Sequence, residues 1–265
     1  MSRTAVLTRP GKRNTALAMR LEQAGWTVLC APALDIVRLE VADIHRYLPQ
    51  HYDLIVFVSG NAVHAYASAL AADSALPTWP ATSAIAGVGS ATVQAASLAL
   101  RLPPHTPRYG PSPEAASYDS EALYATLQRA HACAGRVLIV RGTTGRDWLA
   151  DRLRADGAAV DTLAVYARSP ATWPDQTCRT LQAWQAQGRA TIWLYTTVEG
   201  LAAIDAQVRR CGVSDWWASS DAVLTHPRLV PAWRACSAHV GRSASAGFKV
   251  CLPDDDAIFE AFVAV

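Results

Sequence analysis

The chain is written twice. "VLTRPGKRNTALAMRLEQAGWTV", Val6 to Val28, aligns without a gap on "LIVRGTTGRDWLADRLRADGAAV", Leu138 to Val160, at an offset of 132 and with seven identities in 23 positions. Arg9 meets Arg141, Leu17 meets Leu149, Leu21 meets Leu153 and Gly25 meets Gly157. Each copy reads as apolar strand, polar loop, helix, glycine, strand. The glycines stand where a helix end wants a left-handed residue. Leu17, Leu21 and Ala24 have the i, i+4, i+7 spacing of a packed helix face.

Three more pairs follow in register. "DLIVFVSGNAV" from Asp53 answers "TIWLYTTVEGL" from Thr191, with Ser59 opposite Thr196 at an offset of 137. "AIAGVGSATV" from Ala84 answers "AVLTHPRLVP" from Ala222, and the acidic helix start at Asp119 answers that at Asp255. Continuous apolar strands alternating with helices imply parallel sheets covered on both faces. The predicted fold is therefore α/β, with two similar doubly wound, flavodoxin-like domains. "CAPALDIVRLE" (30–40) and "TLAVYARSPATWP" (162–174) hold equivalent places, each leaving an apolar strand for a Pro- or Arg-bearing connection. Laid side by side, they carry the chain across twice. Residues 1–35 and 171–265 then form one discontinuous domain and 39–165 an inserted one. Residues 36–38 and 166–170 form a two-stranded connector.

Composition narrows the partners. Half of the 265 residues are hydrophobic and 17% are charged, a globular balance. A net charge of +2 without a Lys/Arg run points away from nucleic acid. No apolar run approaches a membrane span and no secretory signal opens the chain, so a cytoplasmic monomer is expected. Cys30, Cys133, Cys178, Cys211, Cys236 and Cys251 are scattered without a C-x-x-C pair. They are expected to be reduced, buried or half-buried fillers, and no metal site is expected.

In doubly wound sheets ligands bind beyond the carboxyl ends of the strands. Those ends carry Thr8-Arg9, with Arg13 in the loop that follows, Ser59-Gly60-Asn61, Gly87-Val88-Gly89-Ser90, Arg141-Gly142-Thr143, Thr196-Thr197 and Thr225-His226. Hydroxyls, glycines and arginines just before helix N-termini suit an anionic ligand. Each also has a plainer reading: Ser and Thr there are ordinary helix caps, and the arginines pair with surface acids. Gly87-Val88-Gly89 lacks the third glycine and the distal acid of a dinucleotide site, so no cofactor is expected. No G-x-S-x-G occurs, and His45, His51, His64, His105, His131, His226 and His239 form no ligand motif. The ligand is anionic, yet strong acid–base machinery is missing.

These stretches together ("VLTRP", "GWTVLCAPALDI", "FVSGNAV", "AGVGSATVQA", "YDSEAL", "VLIVRG" with "GRDWLADRLRADGAAVDTLAVYAR", and "WLYTT") resemble the uroporphyrinogen-III synthase family over nearly the whole chain. The resemblance implies a cofactor-free lyase that closes the linear tetrapyrrole hydroxymethylbilane. It also implies two α/β domains on a two-stranded connector, with the eight carboxylates of the substrate held by strand-end amides and hydroxyls between them. Carried over residue by residue, Thr8, Arg9, Ser59, Gly60, Asn61, Gly89, Ser90, Thr196 and Thr197 become substrate contacts. Tyr166 matches the connector tyrosine and becomes the catalytic candidate. Its alternative is a strand tyrosine packed at a hinge. Where the family has a glycine and a hydroxyl before the penultimate helix, this chain has His226-Pro227-Arg228-Leu229. His226 or Arg228 replaces the lost contact, or the turn is only structural. A diverged, non-catalytic tetrapyrrole- or anion-binding protein is the alternative function.

The expected reaction expels a hydroxyl from ring A to give an azafulvene. The terminal ring attacks through its substituted carbon to a spiro intermediate, and recombination inverts it. Folding the substrate and excluding other outcomes are the main tasks. An ordinary phenol, pKa about 10, is a weak acid at neutral pH, so a partial role for Tyr166 is expected.

Overall fold

A computed structural model describes residues 3–72, 78–112, 118–238 and 246–265. His239 lies outside them. The described chain forms eleven strands and ten α-helices in two compact units, Met1–Asp35 with Ser169–Val265, and Ile36–Arg168. We call these the first and second units.

The first unit holds β1 (Thr4–Leu7), α1 (Thr15–Gln23), β2 (Thr27–Cys30), α6 (Asp175–Ala186), β9 (Thr191–Tyr195) and α7 (Val198–Arg210). It continues with α8 (Ser214–Ala218), β10 (Asp221–Leu224), α9 (Leu229–Ala238), β11 (Phe248–Val250) and α10 (Asp255–Ala264). Its five strands lie in the order β11-β10-β9-β1-β2, and every pair is parallel. The second unit holds β4 (Leu54–Phe57), α2 (Gly60–Ala72), β5 (Ala84–Gly87), α3 (Ser90–Ala99), β6 (Arg108–Tyr109), α4 (Ser120–Arg129), β7 (Arg136–Gly142) and α5 (Trp148–Ala155). Two further strands, β3 (Leu34–Arg38) and β8 (Ala159–Pro170), complete the order β3-β8-β7-β4-β5-β6. β3 and β8 are hydrogen-bonded neighbours, and both carry the chain across the unit boundary. The backbone bonds Leu39 N–H to Val165 O and Ala171 N–H to Ala33 O tie them at 3.0 Å. Tyr166 falls inside the second unit.

The two orders superpose element for element: β11 on β6, β10 on β5, β9 on β4, β1 on β7, β2 on β8. Each unit joins the opening βαβ of one sequence copy to the later strands of the other. Alternation explains the layers. In the second unit Ile55, Phe57, Ile85, Leu138 and Val140 face α2 and α3, while Leu54, Val56, Val137 and Ile139 face α4 and α5. In the first unit Val6, Trp193, Tyr195 and Leu224 face α6, α7 and α9, and Ala5, Leu7, Leu194 and Val223 face α1 and α10. Strands buried on both sides must be apolar throughout, as their sequences are.

The cysteine expectation needs correcting. Cys178 on α6 and Cys211 at the end of α7 form a disulfide, and Cys30 is exposed. The bonded pair is 33 residues apart in sequence, and only the packing of α6 beside α7 brings it together.

Candidate active site

In a doubly wound sheet the crevice opens where successive strands turn off in opposite directions. In the second unit β4 leads toward β5 and β6, while β7 leads toward β8. The switch point lies between β4 and β7. In the first unit it lies between β1 and β9. Both places carry residues singled out by the sequence, but with different fates.

At the second unit's switch point, Ser59 follows β4 and caps α2, its Oγ accepting Ala62 N–H at 3.2 Å. The same Oγ lies 3.2 Å from the Tyr166 hydroxyl. Tyr166 is buried, 5% exposed, and pairs across the ladder with Gly142 at a register irregularity that follows Arg141. The Tyr166 ring packs against Gly142: a Cβ on that glycine would stand 2.8 Å from Cε2 and 2.9 Å from Cζ. Thr143 N–H donates to the Tyr166 carbonyl at 2.9 Å and holds the strand in place. Gly60 and Asn61 open α2 with N–H groups that have no partner within the helix. The buried Gly89 precedes α3, and exposed Ser90 begins it. A Cβ on Gly89 would stand 3.5 Å from the Cβ of Tyr118.

Arg141 projects from the end of β7 with its side chain 13% exposed and pairs with Asp147, which is 69% exposed. It lines a small pocket of about 110 Å³ with Ser120, Thr144, Gly145 and Arg146. The loop carries one further cation, Arg146, and meets another, Arg168 of β8. Arg146 makes a two-pronged contact with Glu121 at 2.6 and 2.9 Å, and Arg168 donates to Thr144 Oγ1 at 3.1 Å. The signal was present in "RGTTGRD", which follows the repeated arginine.

At the first unit's switch point the same chemistry is turned inward. Thr8 is 2% exposed and its hydroxyl donates to the Leu194 carbonyl of β9. Arg9 is 4% exposed; it donates to Asn14 Oδ1 at 3.3 Å and pairs with Asp255 at 2.6 Å. Arg9 is thus a structural cation whose Nη2 is buried without a partner. Thr197 caps α7 by accepting Gly200 N–H at 2.9 Å, while Thr196 beside it is half-buried. Ser59 and Thr197 therefore do the same job. Their equivalence, also set by the strand registers, corrects the Ser59–Thr196 pairing by one residue. His226 Nδ1 accepts Arg228 N–H at 3.0 Å, so that ring nitrogen braces the turn into α9. Arg228 and Arg13 are exposed.

At this edge the hydrogen bond to Glu121 holds the Arg146 guanidinium above its ordinary range. Tyr52, just before β4 at the amino end of the sheet, is pushed up to about 12 by burial and by its hydrogen bond to Asp161. That is a structural pairing, closed by Arg136 at 3.3 Å from Asp161. A cavity of about 480 Å³ in the first unit also lies at the amino edge, lined by Arg3, Thr4, Thr191 and Asp221. Among the described residues no cluster of three His, Cys, Asp or Glu is placed to hold a metal.

Known proteins place the chain. The family model for uroporphyrinogen-III synthase HemD matches residues 15–197. The chain belongs to the uroporphyrinogen-III synthase family. The resemblance read from the motifs holds. A uroporphyrinogen-III synthase of Proteus mirabilis is 31% identical over 166 residues, 62% of this chain and 79% of that protein. Among solved structures, a mutant uroporphyrinogen III synthase of Thermus thermophilus superposes with a TM-score of 0.55 at 15% identity, over 99% of this chain and 98% of that one. The Helicobacter pylori enzyme gives a TM-score of 0.48 at 14% identity over 99% of each chain. The Thermus likeness shows the fold: two α/β domains with parallel sheets. The family is one of cyclising lyases of porphyrin and haem biosynthesis, with a tetrapyrrole substrate. No described helix is long and apolar enough to cross a membrane.

Proposed function

We propose that this chain closes hydroxymethylbilane to uroporphyrinogen III with inversion of ring D, through the azafulvene and spiro intermediates. The observation that carries the reading is family membership, and the chemistry at the second unit's switch point agrees with it. The departing ring A hydroxyl needs a proton. The Tyr166 hydroxyl, beside Ser59, is the group we assign to supply it. Once the hydroxyl leaves as water, the azafulvene is attacked by the substituted carbon of ring D. The spiro intermediate then fragments and recombines.

Substrate carboxylates are assigned to open backbone N–H groups and the positive ends of helices. These are Gly60 and Asn61 on α2, Gly89 and Ser90 before and on α3, and the Thr196-Thr197 turn before α7. Arg141 is assigned to one carboxylate, which displaces the exposed Asp147. Arg13 and Arg228 remain assigned as peripheral cations, His226 as a peripheral hydrogen-bonding side chain, and Arg9 as support for its strand end. The net charge of +2 supports a small-molecule partner and no nucleic acid. We take the working form as a cytoplasmic monomer; a dimer mass on sedimentation, or fractionation with membranes, contradicts this.

The test is to supply hydroxymethylbilane and resolve the products. Enzyme-dependent type III isomer is expected. Only type I isomer, at the spontaneous rate, overturns the activity and favours a protein that binds without turnover.

A further inference from the structure

We infer that Ser59 and Gly142 are positioning residues for Tyr166: Ser59 orients its hydroxyl proton and Gly142 seats its ring. The inference rests on the assignment of Tyr166 as proton donor and reassigns two residues expected to touch substrate.

The geometry has three parts. Ser59 Oγ accepts Ala62 N–H at 3.2 Å and still has its own proton to give. The Tyr166 hydroxyl is 3.2 Å away. When Ser59 donates to the phenol oxygen, the phenol's proton is directed away from Ser59, toward a leaving hydroxyl.

Gly142 supplies the third part. Its missing side chain is the space that the Tyr166 ring fills, since an added Cβ would lie 2.8 Å from Cε2 and 3.3 Å from the hydroxyl oxygen. Any side chain there pushes the ring off its seat and opens the contact with Ser59. The repeat offers a control within the same molecule. At the offset of 132, Gly142 corresponds to Pro10 and Arg141 to Arg9. At the same offset Tyr166 corresponds to Leu34, so the copy that keeps the arginine but not the glycine has no tyrosine at the matching position.

A double-mutant cycle in the full chain tests this, because coupling separates action through Tyr166 from loss of the helix cap. The variants are S59A, Y166F, S59A/Y166F and S59T, with kcat, KM, isomer ratio and melting temperature measured for each. Y166F is expected to lower kcat at least about 10-fold. S59A is expected to lower kcat about 5-fold, one hydrogen bond's worth, with KM unchanged within about 2-fold. In the Y166F background S59A should change kcat less than about 2-fold, while the drop in melting temperature from the lost cap appears in both backgrounds. S59T, which keeps the hydroxyl, should restore most of the loss. G142A should resemble S59A in kcat and share its insensitivity in the Y166F background. An S59A loss that persists in full beside Y166F overturns the positioning role and leaves Tyr166 as donor. Wild-type turnover and isomer ratio in Y166F overturn the assignment of Tyr166 itself.

Discussion

The two units share a strand order and differ in what they do with it. Between β1 and β9, the first unit closes its switch point with its own side chains: Thr8 on the Leu194 carbonyl, Arg9 on Asn14 and Asp255. Between β4 and β7, the second unit leaves a phenol beside a serine and an arginine paired to an exposed acid. Their cores differ as well. One core cluster of the first unit buries Trp173, Trp184, Trp193, Trp217 and Trp233 beside the disulfide, whereas the corresponding cluster of the second is aliphatic apart from Trp79, Phe57 and three tyrosines. Duplication supplied two equivalent crevices. The first copy ties Thr8 and Arg9 into its own fold, and the second sets Ser59 beside Tyr166.

The sharpest way to separate the units is to remove the crosslink. Closing a loop of 33 residues stabilises a domain by about 3.5 kcal/mol through the unfolded chain. C178S/C211S, or reductant on the wild type, should lower the melting temperature of the first unit alone. Calorimetry should then show two transitions, or a wider gap between them. An equal shift of all the unfolding would mean that the units do not melt apart.

Next come the matched arginines. R9A removes a guanidinium that is 4% exposed and takes its hydrogen bonds from Asn14 Oδ1 and Asp255, so a loss of about 2 kcal/mol in stability is expected. R141A breaks a pair whose arginine is 13% exposed and whose acid is 69% exposed, and should cost less than R9A because water solvates the Asp147 left behind. It should instead raise KM severalfold, more at low salt than at high salt, because salt screens the attraction of Arg141 for a carboxylate. Chemical denaturation and kinetics at two ionic strengths check both. A reversal, with R9A kinetic and R141A structural, would break the contrast.

The smallest effect should show no contrast. Asp119 accepts Ala122 N–H at 2.9 Å and Asp254 accepts Ala257 N–H at 2.8 Å, each capping the matching helix of its unit. D119A and D254A should each cost about 1 kcal/mol and leave kcat unchanged. Unequal costs would show that the units have diverged even in their supports.

Much of this was legible in the residues. Apolar strands and the ungapped repeat sufficed for the sheets and the double crossing, because strands buried on both faces have few other sequences open to them. The strand-end residues were readable for the same reason. Their destinations were not. Thr8 meets a carbonyl 186 residues away and Arg9 an acid 246 residues away, distances at which periodicity carries no information. Whether a hydroxyl faces a ligand, a neighbouring strand or its own helix depends on an angle, and Ser, Thr and Arg are compatible with all three. The disulfide escaped for a related reason: the cysteines lie on separate helices whose packing no local spacing specifies.

That the carboxyl edges of the sheets hold the acid is tested most directly by hydrogen exchange with mass spectrometry, with and without uroporphyrinogen III. Slowed exchange is expected for the amides of 60–61, 89–91 and 141–145, and for the turn at 196–199, with the amino edge unchanged. Protection confined to the amino edge, around Arg3, Thr191 and Asp221, would contradict it.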